Sequence, residues 1–182
     1  MALNYARGRI FATIDAMEKQ ICDHFGVDNL PGEIYEAFVD SIFVGYSWYT
    51  ERSLTETLRT RFKVWRGRSE IPADFEPTKS QPERRRAFLG KIDMIAAGMV
   101  EDSELFITAR GFIGTASRYC RADDGAKVYV LLGGSAPFIL QPLKGGNDHR
   151  LLCACFLHGY MDREEISAWK KGELDLQTVN LV

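Results

Sequence analysis

Apolar positions along the first hundred residues recur at steps of three and four, the spacing of one helix face. Ile10, Ile14, Met17, Ile21 and Phe25 form the first stripe, with Asp15, Glu18, Lys19 and Asp23 on the wet side and Gly26 as the stop. Pro31 and Glu33 suit the first turn of a second helix, whose stripe is Ile34, Phe38 and Ile42. Ser53 and Glu56 have capping-box spacing and open a third helix, lined by Leu54, Leu58, Phe62 and Trp65 and ended by Gly67. Residues 68–82 carry three prolines and read as a surface loop. Ser80 and Glu83 repeat the capping spacing and start a fourth helix, with Phe88, Ile92, Ile95 and Met99 in phase.

From residue 104 the period changes to two. Residues 104–110 are strand-like, and Gly111 and Gly114 bracket a short segment after them. Val128, Val130 and Leu132 alternate with Lys127, Tyr129 and Leu131, as on a two-faced strand. Residues 138–143 form the next apolar run, with Pro137 at its entry, where a missing N–H does least harm. Gly133-Gly134 and Gly145-Gly146-Asn147-Asp148 supply the reversals around it, and 150–160 is the third run. A short helix over 164–171 around Trp169, and a last edge strand near Leu174, Leu176 and Val179, complete the reading. Helices first and strands afterwards predict an α+β fold: about four N-terminal helices over 1–103 packed on a small C-terminal antiparallel β-barrel over 104–182.

The strand region carries an ordered set of motifs: Gly111-Phe112-Ile113-Gly114, then Asp124-Gly125 with Val128, Val130, Leu131 and Gly133, then Pro137-Phe138 with Leu140, then Arg150-Leu151, then Phe156, His158-Gly159 and Met161-Asp162. In that order they resemble the β-barrel near the C-terminus of fungal heterokaryon-incompatibility (HET) proteins, over roughly 104–182. Three positions depart from that pattern: Gln141 stands where Arg is usual, Cys153-Ala154 where Gly-Glu is, and Arg163-Glu164 where Gly-Glu is. The signalling HET domain that precedes the barrel in the family has no counterpart, so the resemblance implies a chain that does not signal alone.

Composition then removes several classes. With 46% apolar residues the chain can build a core, and a net charge of −2 argues against a general nucleic-acid binder. No run approaches the length of a membrane span, and the N-terminus lacks a secretory h-region, so a cytoplasmic protein is expected. The four cysteines, Cys22, Cys120, Cys153 and Cys155, are too sparse for a scaffold of crosslinks and read as reduced. Cys153 and Cys155 share one strand face near His158, but packing explains them better than zinc, and a bridge between neighbours along a strand is geometrically poor.

No nucleophile elbow, catalytic Cys/His signature or phosphate loop is present, and no cofactor or metal is called for. His158 with Asp162, Glu164 and Glu165 is the best acid–base cluster, set against a plain structural corner at His158-Gly159, with Arg110 as a second catalytic candidate. The aromatics Tyr35, Phe38, Phe43, Tyr46, Trp48 and Tyr49 exceed what one helix stripe needs. Tyr35, Trp48 and Tyr49, with Arg110, Tyr119 and Gln141 as polar anchors, are candidate ligand-binding residues of a cavity between helices and barrel, core packing being the competing use. Residues 51–91 hold 11 basic against 6 acidic residues, either a face that recognises an anionic ligand or acidic partner or a solvated face paired with the acidic barrel.

Two functional readings follow. One is a stand-alone barrel that binds an apolar small molecule, with a cofactor-free cyclisation, isomerisation or cycloaddition of secondary metabolism as its chemistry, since positioning alone supplies a rate gain. The other is a non-catalytic module that binds a protein partner, related to incompatibility signalling. A structural remnant without activity is the third possibility.

Overall fold

The first helix, α1 (Ala2–Phe25), begins ahead of its apolar stripe because Ala2, Leu3, Ala6 and Arg7 are themselves strong helix formers. It ends where expected, at Gly26 with φ +66°. The structure, a computed structural model, describes residues 2–47, 53–90, 92–144, 147–161, 169–172 and 176–182. α2 (Gly32–Ser47) follows Pro31, whose carbonyl accepts the Tyr35 N–H (2.7 Å) in the first turn. α3 (Ser53–Trp65) closes at Gly67, φ +72°, with Arg68 N–H returning to Lys63 O. Its predicted capping box falls on side chains outside the described residues.

The fourth predicted helix is two. α4 (Gln81–Leu89) stops at Gly90, φ +54°, and α5 (Ile92–Asp102) starts afresh. The break shifts the phase, so α5 buries Ile92, Ala96 and Val100, four apart, and leaves Ile95 and Met99 half-covered. The Ser80–Glu83 capping box is present: the Glu83 carboxylate accepts the Ser80 N–H (3.1 Å) and hydroxyl (2.5 Å).

The chain divides into two compact units, Met1–Glu101 and Asp102–Val182. In the helical unit the stripes converge on Phe62. Its ring meets Phe43 (5.1 Å), Trp65 (5.7 Å) and, at 6.5 Å each, Phe38 and Tyr35. Phe11 stacks on the other side of Trp65 at 4.3 Å. Phe38, Phe43, Phe62 and Trp65 are all buried, so these four aromatics build core.

The second unit holds β1 (Ser103–Ile107), β2 (Ile113–Ser117), β3 (Lys127–Val130), β4 (Pro137–Pro142), β5 (Asp148–Leu157) and β6 (Asn180–Leu181). Their order is β1-β2-β5-β4-β3, antiparallel throughout, with β6 joining β5 in parallel. The expected run of three strands with two glycine turns is β3-β4-β5. The barrel is not: β1 pairs only with β2 and β3 only with β4, so the sheet of the described residues is open. β5 is its hub. Residues 148–154 pair with β4 and β6, residues 155–157 pair with β2, and the β4 pairing shifts register once, between Ile139 and Leu140.

Pairing in register puts Val128, Ile139 and Cys153 on one face, with Ala116 beside Cys155. Around Ala116, Ile139 and Cys155 pack Phe106, Cys120, Ala126 and Val128. Gly114 is required there, because a Cβ on it would sit 2.4 Å from Phe156 O and 2.5 Å from Phe106 Cζ. The last predicted strand lies slightly later than expected, at β6, and the predicted helix over 164–171 falls largely outside the described residues.

Candidate functional site

The β1–β2 connection is a tight turn made by its own residues. Gly111, at φ +83°, returns its N–H to Thr108 O (2.8 Å), while Phe112 N–H donates to Thr108 Oγ1 (3.0 Å) and Phe112 O accepts from Thr108 N–H (2.9 Å). The turn lifts Arg110 into solvent and lays its guanidinium over the Phe112 ring at 5.5 Å. Phe112 in turn meets Tyr160 edge-on at 4.9 Å. Antiparallel pairing brings the end of β5 to the same place: His158 N–H donates to Ile113 O (3.0 Å), and Gly159, φ +80°, turns the chain so that Tyr160 N–H closes on Leu157 O.

Arg110 and His158, both singled out from sequence, therefore share one end of the sheet, although 48 positions separate them in the chain. Phe112 and Tyr160, which sequence reasoning passed over, complete an open ledge of a guanidinium and two half-buried rings, with the His158 backbone at its corner. The available signal was their place beside the turn glycines. The predicted acid–base partners Asp162, Glu164 and Glu165 lie outside the described residues, as do Trp48 and Tyr49.

The remaining candidates do not converge on that ledge. Tyr35 belongs to the helical unit, with Arg68 5.5 Å and Lys63 5.8 Å from its ring centre; burial pushes its hydroxyl pKa up, opposed by the Arg68 charge. Tyr119, 79% exposed, sits beyond the far end of β2. Gln141 spends its side-chain oxygen on the Asp123 N–H (3.0 Å), holding the 118–126 connection onto β4.

The buried histidine of the sheet is His149, which sequence reasoning left aside. Its Nδ1–H donates to Asn147 O (2.9 Å), so Nε2 accepts from the Tyr129 hydroxyl (3.1 Å), and the rings meet edge-on. Asn147 also reaches Thr178 O, and Val182 N–H reaches His149 O, so this group pins β6 to β5. With both ring nitrogens engaged in fixing the strand, its role is architectural.

The reduced-cysteine expectation needs correction. Cys120 and Cys153 are joined as a disulfide, their Cα atoms 6.0 Å apart, because the connection after β2 folds back over β5. Cys155 is the packing cysteine that was expected, and burial pushes its thiol up to about 12.

The basic stretch is largely consumed by pairing inside the helical unit. Arg59 grips Asp40 with two bonds (2.8 and 2.5 Å) and touches Glu36. Arg66 reaches Asp15 and Glu18, and Arg68 takes both Glu18 oxygens. Arg84 ties the 72–75 loop through Phe75 O, Pro72 O and Ala73 O, and Arg85 reaches Val64 O. The charge is paired, but these partners belong to the helical unit itself and not to the acidic barrel region that was expected to supply them. A groove of about 340 Å³ along α1 is walled by Asp15, Glu18, Asp23 and Asp28, and three of these four carboxylates are already paired to Arg66, Arg68 or Lys19. Among the described residues no helix is long and apolar enough to cross a membrane. Comparison with family models, curated proteins and solved structures finds no match.

Proposed function

We propose that the chain is a non-catalytic partner-binding module that works through the ledge of Arg110, Phe112, His158 and Tyr160. The observation that carries this is the stack of an exposed guanidinium on Phe112, braced edge-on by Tyr160, at the corner where His158 is bonded to Ile113. Arginine and aromatic side chains held this way, partly buried but facing solvent, are the residue types that dominate protein interfaces. A small apolar molecule needs enclosure of most of its surface, whereas an open ledge suits a projecting side chain of a partner. An accessory role in incompatibility signalling fits the same assignment, given the resemblance of 104–182. The cyclase or isomerase reading draws less support, because the core aromatics are packed and Tyr119 and Gln141 lie away from Arg110 and His158.

The test captures partners with the purified chain and, in parallel, with its Arg110→Ala/Tyr160→Ala variant. A protein retained only by the first is purified, and its Kd is measured for both and for Tyr119→Ala. Loss of two central anchors is expected to weaken binding by about tenfold or more, with Tyr119→Ala unchanged. Equal affinity across all three chains ends the reading.

A further inference from the structure

The 118–126 connection between β2 and β3 is fastened to β5 through Cys120–Cys153 and to β4 through Asp123–Gln141, and Arg118 N–H bonds Asp102 O at its start. Gln141 and Cys153 are also two of the three places where the chain departs from the barrel pattern it resembles. Beneath the connection lies the cluster of Ala116, Ile139 and Cys155, against which Cys120, Ala126 and Val128 pack. Three of the four cysteines thus meet on one face of the sheet, two bridged and one buried as a thiol. We propose that the Cys120–Cys153 disulfide is a reversible redox site: its reduction by a dithiol releases the 118–126 connection from the sheet and uncovers Cys155.

Access favours attack at this bridge. Cys120 is half-buried on a stretch whose neighbours Arg118, Tyr119, Arg121 and Ala122 are exposed. The reductant's thiolate attacks one bridge sulfur and forms a mixed disulfide, and its second thiol then displaces the cysteine. Two electrons and two protons pass from the dithiol, which leaves as a cyclic disulfide, to give two cysteine thiols. Cys155 does not short-circuit this step. Buried and held as a neutral thiol, it is a poor nucleophile toward its bridged neighbours. With the bridge open, the connection keeps the Asp123–Gln141 bond, the Arg118 N–H bond to Asp102 O and its apolar contacts but loses its covalent tie to β5, so the cover over Cys155 opens and closes locally.

The experiment uses the full chain carrying Cys22→Ser, so that the remaining thiols are those of the sheet. Unfolded in guanidinium without reductant, it is expected to take up one maleimide, on Cys155; uptake of three shows that there is no bridge. Folded, Cys155 is expected to label about tenfold faster or more after dithiothreitol treatment or with Cys120→Ser added, in proportion to the open population. Trypsin cleavage after Arg121 is expected to accelerate in parallel. An unchanged Cys155 rate overturns the proposal. Amide hydrogen exchange separates release from collapse: 118–126 should lose protection while 148–157 keep theirs. Simultaneous loss in both segments makes the bridge a staple of the whole sheet, and the proposal fails.

Discussion

Gly114 offers a sharp test of how the sheet holds its ledge. It pairs with Phe106 on β1 and Leu157 on β5, and Ile113 beside it supplies the carbonyl that receives His158 N–H. In Gly114→Ala the new methyl would lie 2.4 Å from Phe156 O and 2.5 Å from Phe106 Cζ, where ordinary contact begins near 3.4 Å. The Phe106 ring can swing aside, as aromatic side chains covering a strand glycine do. The Phe156 carbonyl cannot, because it belongs to a strand held in the β2–β5 ladder. Overpacking of this kind costs about 1–3 kcal/mol, and an obstacle in the backbone places it at about 3. For a unit of this size that corresponds to a fall in melting temperature of roughly 12–24 °C. Urea and thermal unfolding of Gly114→Ala and of Gly114→Ala/Phe106→Leu are the assays, with the His158 amide resonance followed in each. The double variant should recover only part of the loss, since half of the obstruction remains, and the His158 amide should shift in both. A single variant within about 0.5 kcal/mol of the parent would refute the reasoning; full recovery in the double would show that the carbonyl yields after all.

Three further outcomes are expected. Asp40→Ala leaves Arg59 partly buried without its two-pronged partner and should cost about 3 kcal/mol in denaturant unfolding, whereas Asp40→Leu/Arg59→Met should recover most of it. Arg84→Met removes the bonds to Phe75, Pro72 and Ala73, so cleavage of the 72–75 loop by a non-specific protease should accelerate, while near-ultraviolet signals of the Phe62 core stay unchanged. Bonds from the Ser80 hydroxyl and N–H hold the Glu83 carboxyl below its ordinary 4.5. The folded state therefore favours the charged form, so the cap's contribution is present above the unfolded value and fades as pH falls through the folded one. Protection of the α4 amides should drop in that acid window, and Glu83→Gln should abolish the pH dependence.

The helices were legible because their cause is local. Ile10, Ile14 and Ile21, or Leu58, Phe62 and Trp65, fall on one side of a 3.6-residue spiral whatever the rest of the chain does, and Gly26 and Gly67 adopt the positive φ that ends each one. The Ser80–Glu83 cap is likewise a matter of four consecutive residues. Gly90 was misread for the complementary reason: one glycine in a periodic run costs too little to predict a stop, and packing decided it. Among site residues, His158 and Arg110 could be chosen from their motifs, but no spacing rule places them at one sheet end or sets Phe112 against Tyr160.

Sequence alone determined the order of helices and strands, the reversing turns and the apolar faces, since each depends on backbone preference within a few residues. Tertiary structure alone decided that β5 stands at the centre of an open sheet, which strand ends meet in the Arg110–His158 ledge, and that Cys120 reaches Cys153 across 33 positions. Arg59 finding Asp40, 19 residues away, and Tyr129 finding His149, 20 away, belong to the same class. A one-dimensional pattern records which face a residue prefers. Which strand lies beside which is set by chain closure and burial of the whole, and the corner shared by Arg110 and His158 exists only once that choice is made.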